Sequence, residues 1–292
     1  MVEMQHRDSA TSTLSTRQCV ELACLLEVAA PKPGNVHRGA DFPHIGLTDF
    51  LTSAVAIAPA LERTVETGVG QAVLSAIQGT RQFVEQNTNL GIVLLLAPLS
   101  AIPPTTPLSS GIGKVLANLT NKDTSLIYQA IRLAAPRGLG TSETWDIDEE
   151  TPDDLLTAMQ IAAPRDMIAR QYVNNFQQIF ENIVPWIVVG CANGLSLTQS
   201  IVHTHVRCMA EFPDTDIARK IDVATASESA QRAGSVLKAG DPMSEDYETA
   251  LANFDFWLRS DGTRRNPGTT ADLIVAGLFI SLRDGIIKPP FR

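Results

Sequence analysis

The sequence lacks a surplus of positive charge. Its 23 lysines and arginines stand against 32 aspartates and glutamates, a formal net charge of −9, and neutralising a phosphate backbone needs a net basic face. Broad nucleic-acid binding is excluded, while a local basic site for one phosphorylated ligand is not. Long apolar runs are missing as well. The longest nearly uncharged one, Leu90 to Ile102, is shorter than the roughly 20 residues that span a bilayer. Met1 to Thr13 is polar and mixed in charge, without the apolar stretch of a secretory signal. These absences predict a cytoplasmic protein with no membrane partner. Residues 1–13 are expected to be disordered or loosely ordered ahead of one helical domain over 14–292. Cysteine is scarce, and Cys19, Cys24, Cys191 and Cys208 form none of the close pairs of a zinc ribbon or redox motif. They read as buried thiols. Internal repeats, a Ser/Gly-rich linker and the strict alternation of a half-buried strand are also absent.

What is present is a globular composition, 44% hydrophobic and 19% charged with 19 Gly and 17 Pro over 292 residues. That length is near two average domains of roughly 150 residues, yet ordinary for one large all-α domain. Apolar residues recur at three- and four-residue steps from Thr16 until Pro31 stops the pattern. Similar stretches lie at about 48–61, 69–86, 122–134, 154–163, 173–190, 197–210, 216–237, 245–259 and 270–283. Segment 90–98 reads as a strand or a buried helix, and the Pro/Gly-rich region 100–113 as a long loop within the domain. Thr151-Pro152-Asp153-Asp154 resembles a helix start, and Thr269 with Asp272 resembles a capping box. The fold expected is all-α, a single large multi-helix domain.

In such a protein the chemistry sits at helix ends and in loops, and three loops crowd polar groups without an obvious surface reason. Lys32, Asn35, His37, Arg38 and Asp41 follow one another on a segment stiffened by Pro31 and Pro33. Lys and Arg there suit a phosphate, and Asp41 suits a magnesium ion. Asp214 and Asp216 flank Thr215 at a helix start, with Arg219 and Lys220 a turn later. They fit either a cap with local ion pairs or a site for a hard cation. Arg264 and Arg265 precede Asn266-Pro267-Gly268, a glycine loop that feeds a helix N-terminus and suits an anion. Asn87-Thr88-Asn89-Leu90-Gly91 reads most simply as a cap. The run Glu143, Asp146, Asp148, Glu149 and Glu150 reads as a solvated face around Trp145.

Taken in order, Glu27 with Pro31-Lys32-Pro33-Gly34, Asn87 to Gly91, Asp214-Thr215-Asp216 with Arg219, and Asn266-Pro267-Gly268 with Ala271-Asp272-Leu273 resemble the triphosphoribosyl-dephospho-CoA synthase family, of the CitG and MdcB type. The similarity runs from Glu27 to about Leu282. It implies an all-α transferase that displaces adenine from ATP and joins the triphosphoribosyl group to the ribose 2′-hydroxyl of dephospho-CoA. The product would be the precursor of a prosthetic group on an acyl-carrier subunit of citrate or malonate decarboxylating enzymes. Family members typically carry His-Lys where this chain has Asn89-Leu90, and a second glycine where it has Thr269. The missing pair removes a phosphate or base contact, so a related acceptor is an open alternative in this branch.

Breaking the bond from C1′ to adenine passes through a cation-like transition state, which calls for anions near the ribose and cations near the triphosphate. On this reading Lys32, Arg38, Arg219, Arg264 and Arg265 contact phosphates, with Asn35, Asn87, Asn89, Asn266 and Gly268 completing the substrate site. Asp41, Asp214 and Asp216 hold magnesium. Glu27 or His37 supplies the base, and Asp214 faces the developing charge. ATP and dephospho-CoA are the expected partners, and a homo-oligomer is left open. Two alternatives use the same loops: a magnesium-dependent helical hydrolase of nucleotides or ADP-ribose, and a non-catalytic nucleotide-binding module. The polar loops are expected to share one cleft.

Overall fold

A computed structural model describes residues 14–134 and 152–291. The N-terminal segment 1–13, Thr151 and the acidic run at 143–150 lie outside the described residues. Within them the chain is all-α, with fifteen α-helices, one π-helical turn and no strand beyond two isolated bridges in the loop after the first helix. No described helix is long and apolar enough to cross a membrane.

Two helices with no polar face form the centre. Helix α5 (Leu90–Ser100) buries every residue except Gly91, and α15 (Gly268–Arg283) buries each residue from Leu273 to Leu282. A helix apolar all round must be covered on all sides, and these two pack on each other. The ambiguous segment 90–98 is therefore a buried helix. Helix α1 (Thr16–Ala29) lies against α15 and α2 (Leu47–Glu62); α2 continues onto α4 (Val69–Arg81), and α4 onto α7 (Asn121–Ala134). On the other flank, α11 (Leu197–Glu211) packs against α10 (Val184–Ala192), α13 (Val223–Lys238) and α15. The short α12 (Thr215–Lys220) and α14 (Glu245–Arg259) both lean on α13. There Val206, Met209, Ala233, Tyr247, Phe254 and Leu258 form a second apolar cluster, and it fixes the end of α14 beside the first polar loop. The remaining helices are α3 (Thr64–Thr67), α6 (Leu108–Ala117), α8 (Leu155–Ala162) and α9 (Met167–Val173).

Several expected boundaries move, each for a local reason. The loop at 100–113 shrinks to 101–107, because Leu108, Ile112 and Leu116 make a buried stripe that carries Gly111 and Gly113 into α6. The stretch 173–190 is not one helix. Asn175 and Phe176 adopt positive φ of 57° and 63°, and a π-helical turn at Ile179–Ile183 shifts the register ahead of Pro185, which has no N–H to give an ordinary helical bond. The stretch 216–237 breaks at Ile221, and Asp222 starts α13 by accepting the Thr225 N–H at 2.7 Å. Asp154 caps α8 by accepting the Thr157 N–H at 2.8 Å.

Because α5 is enclosed by its neighbours, Leu95→Ala is expected to lower the free energy of unfolding by about 2–5 kcal/mol in urea titration. A loss well under about 1 kcal/mol would show that the centre lies elsewhere.

Candidate active site

One cavity of about 1240 Å³ opens between the N-termini of α5, α12 and α15, the turn between α8 and α9, and the loop after α1. Parts of all three polar loops line it, so the expected shared cleft exists. The residues that face it are not the ones their chemistry suggests.

In the first loop, Lys32 turns inward. It is fully buried, donates to the backbone carbonyls of Glu27 and Ala30, and pairs with Glu27 Oε1 at 3.0 Å. Burial drives its ammonium below the usual lysine range and the Glu27 carboxyl above its own, while the pair opposes both shifts. Lys32 is thus a structural cation that anchors the loop, not a phosphate ligand. Glu27 keeps a side on the cavity but is committed to Lys32. His37, Arg38 and Asp41 lie on the far limb of the loop and do not line the cavity. His37 Nδ1 accepts the Gly39 N–H at 3.1 Å, Arg38 is exposed, and Asp41 accepts the Leu47 N–H at 2.7 Å.

Asn35 does face the cavity, and a clamp from α14 sets its position. Asp255 accepts the Gly34 N–H at 2.7 Å and holds Arg259, whose guanidinium reaches the Asn35 carbonyl. The Asn35 amide nitrogen then bonds Asn266 Oδ1 at 2.6 Å, tying the first loop to the third. Neither Asp255 nor Arg259 stands out in the sequence, because both read as the exposed side of a helix.

Asp214 joins the second loop to the third. Its Oδ1 accepts the N–H groups of Asp216 and Ile217, capping α12, while its Oδ2 accepts both the N–H and the hydroxyl of Thr270 at 2.7 Å. Thr269 and Asp272 therefore form no capping box; the cap of α15 comes from Asp214, across 56 residues of sequence. With four donors on one carboxylate, Asp214 is a structural bracket rather than a metal ligand or catalytic group. Asp216 lines the cavity, but its oxygens are taken by Arg219 at 2.5 Å and by Lys220. No group of three or more His, Cys, Asp or Glu among the described residues could hold a metal ion. Asp41 outside the cavity, Asp214 saturated and Asp216 doubly paired do not fit a protein-held magnesium.

In the third loop, Asn266 and Gly268 line the cavity, and the two arginines do not. Arg264 is exposed beside Asp261; Arg265 lies 4.3 Å from the Trp257 ring centroid and donates to the Trp257 carbonyl. Both are thereby withdrawn from the phosphate role. One turn into α15, Asp272 faces the cavity with no hydrogen bond or ion pair among the described residues. It presses against Gly91, where a Cβ would sit 2.0 Å from Asp272 Oδ2. Gly268 likewise leaves room for Asp216, whose Oδ2 would lie 2.7 Å from a Cβ there. Burial, then the charges of Asp216, Glu27 and Asp214, push the Asp272 carboxyl well above the aspartate range.

The second motif fixes the start of α5. Asn87 Oδ1 accepts the Leu90 N–H at 3.1 Å, and the buried Asn89 donates to Thr80 at 2.9 Å, while both line the cavity. Besides Arg219, which the sequence singles out, cations on the wall come from positions 165 and 170, between the helical stretches read at 154–163 and 173–190. Arg165 has no hydrogen bond or ion pair among the described residues, and Arg170 bonds only the Ala163 carbonyl at 3.3 Å. Arg219 also lines the wall, bridging Asp166 and Asp216.

Comparison with known proteins covers nearly the whole chain. The family described as "ATP:dephospho-CoA triphosphoribosyl transferase" matches residues 13–289. This chain belongs to that family. Two proteins of Vibrio cholerae serotype O1, from strains M66-2 and ATCC 39315 / El Tor Inaba N16961, carry the name "Probable 2-(5''-triphosphoribosyl)-3'-dephosphocoenzyme-A synthase". Each is 26% identical over 288 residues, covering 88% of this chain and 84% of theirs. A solved structure titled "Crystal structure of putative triphosphoribosyl-dephospho-coA synthase from Archaeoglobus fulgidus" shares the fold. Its TM-score is 0.62 at 22% identity, with 83% of this chain and all of that one covered. The family is one of transferases, and nothing favours the hydrolase reading.

The raised Asp272 carboxyl gives a stability test with a defined sign. In the unfolded chain it ionises near the ordinary value of about 3.9, whereas folding holds it protonated to higher pH. Wild type therefore loses stability as pH rises through the folded value. Asp272→Asn is expected to raise the melting temperature at pH 8, with the gain vanishing toward pH 4. An equal or lower melting temperature at pH 8 would contradict the strained, unpaired state.

Proposed function

We propose that this protein transfers the triphosphoribosyl group of ATP to the ribose 2′-hydroxyl of 3′-dephospho-CoA and releases adenine. The observation that carries the reading is a single cavity, built by the family's motifs, with Arg165 and Arg170 on one wall and the carboxylates of Asp216 and Asp272 beside the start of α15. Its volume of about 1240 Å³ exceeds the roughly 300–1,000 Å³ typical of one small ligand, which suits two nucleotide substrates held together.

The chemistry divides along those walls. As the bond from C1′ to adenine N9 stretches, positive charge grows on the ribose, and fixed carboxylates stabilise it more than they stabilise the ground state. Asp216 is such a fixed anion, kept in place by Arg219 and Lys220. Arg165 and Arg170 meet the phosphates, where a guanidinium fork matches the oxygen geometry. Asn35 and Asn266 orient the sugar from one side, and the Asn87 to Gly91 turn closes the other. Magnesium enters with the triphosphate as part of the substrate. Every residue given a role belongs to one chain, so the reading holds for a monomer and a homo-oligomer alike, in the cytoplasm where ATP is at hand.

Incubation with ATP and magnesium, with and without dephospho-CoA, followed by chromatography, tests this. Adenine release that depends on the acceptor is expected. Acceptor-independent release of ribose triphosphate would mean a hydrolase, and binding without turnover a non-catalytic module. Replacing Arg165 or Arg170 by Ala is expected to raise the KM for a nucleotide substrate about tenfold or more, the worth of a charge-assisted contact. An unchanged KM for both substrates would remove the arginines from the site.

A further inference from the structure

Of the carboxylates on the cavity wall, Glu27 is bound to Lys32, Asp166 caps α9 and meets Arg219, and Asp216 is held by Arg219 and Lys220. Glu85 and Glu211 are exposed at the rim. Asp272 differs from all of them: it stands half-buried at the first turn of α15 with no hydrogen bond or ion pair among the described residues. Its place is firm, since α15 continues from it into ten consecutive buried residues, Leu273 to Leu282. The first turn of α5 makes room for it at Gly91, where any side chain would overlap the carboxylate.

A second observation concerns Asn35. Its amide nitrogen is engaged by Asn266 and the Pro267 carbonyl, which leaves Oδ1 buried and without a partner on the cavity wall; the residue is 6% exposed. A buried acceptor left unpaired is costly unless a ligand supplies the donor. The start of α15 thus sets two acceptors without partners among the described residues, the Asp272 carboxylate and Asn35 Oδ1, where a sugar hydroxyl would supply the donor.

We propose that Asp272 is the general base of the transfer, drawing the proton from the acceptor's 2′-hydroxyl while Asn35 Oδ1 accepts from a neighbouring sugar hydroxyl. The assignment rests on the transferase reading above. As the O–H bond breaks toward the carboxylate, the hydroxyl oxygen forms its bond to C1′ of the ATP ribose. The C1′–N9 bond breaks with its electron pair leaving on adenine, and the proton passes from Asp272 to adenine. The carboxylate is restored, and no further reactant is needed. The groups that face Asp272 are Cys24 and Glu27 from α1, and Asp214, Asp216 and Arg219 at α12. Burial, then the three carboxylates, oppose a further negative charge on Asp272, and Arg219 favours it. Such surroundings raise the proton affinity of a carboxylate, which suits it to take a proton as a base.

The test compares wild type with Asp272→Asn, Gly91→Ala and His44→Gln, His44 being an exposed histidine at the cavity's edge. Acceptor-dependent adenine release is followed against pH, and the affinity for magnesium–ATP by calorimetry. Asp272→Asn is expected to lower kcat about 10²- to 10⁴-fold, remove the acidic limb of the pH profile, and leave ATP affinity and folding intact. Gly91→Ala, which displaces the carboxylate, is expected to lower kcat more than it changes KM. His44→Gln is expected to stay close to wild type. Retained kcat in Asp272→Asn, a loss of ATP affinity that matches the loss of turnover, or a collapse with His44→Gln would each overturn the assignment. If wild type shows no acceptor-dependent release, the transferase reading fails and the base falls with it. Should wild type transfer normally and Asp272→Asn do so too, only the base is wrong.

Discussion

The arrangement depends on one carboxylate. Asp214 takes four hydrogen bonds, two from the start of α12 and two from Thr270 at the start of α15. It thereby fixes two helix N-termini against each other with almost no access to water. A buried charge is tolerated only when such donors and helix dipoles replace its hydration. Once those two ends meet, Asp216 must lie against Gly268 and Asp272 must reach Gly91, because both side chains leave the same pair of short turns.

Two further ion pairs, one buried and one half-buried, complete the frame. Glu27 and Lys32 hold the proline loop to the end of α1, and Asp255 with Arg259 pulls that loop toward the start of α15. Neither pair needs substrate. Removing Glu27 or Lys32 would strand the other in a poorly solvated place, so this pair is bound to the fold as firmly as the apolar core is. The cavity can then be rigid around the reacting atoms although it is assembled from segments far apart in sequence.

This explains what the sequence discloses and what it hides. Helical period and the unbroken apolar runs at 90–98 and 273–280 give the all-α class and the central pair, since covering such surfaces is the main requirement of folding. The same signal misplaces the ends at 221 and 173, where one capping aspartate and one proline decide. Polar loops mark the neighbourhood of the site, but residue type names a chemistry and not a partner. Lys32, Arg264 and Arg265 look like phosphate ligands, yet their charges are spent on Glu27, Asp261 and the Trp257 ring. Asp214 looks like a metal ligand until Thr270 is seen beside it. Asp272 reads as an ordinary cap because the competing cap comes from a distant loop, and Arg165 with Arg170 falls unremarked between the helical stretches 154–163 and 173–190 because the cavity wall they face is built by other elements. His203 and His205, two residues apart on one helix and so on different faces, do not share a ligand: His203 meets the Tyr247 hydroxyl at 3.0 Å and His205 is wholly buried.

The central claim is geometric: one cavity aligns a triphosphate along Arg165 and Arg170 with a sugar at the first turn of α15. A crystal structure with a non-reacting ATP analogue, magnesium and dephospho-CoA measures it directly. The account predicts phosphate oxygens on those two guanidinium groups and the acceptor's 2′-oxygen within hydrogen-bond distance, about 3 Å, of an Asp272 oxygen. A nucleotide whose ribose lies away from Asp272, with its phosphates on Lys32 or Arg264 instead, would contradict it.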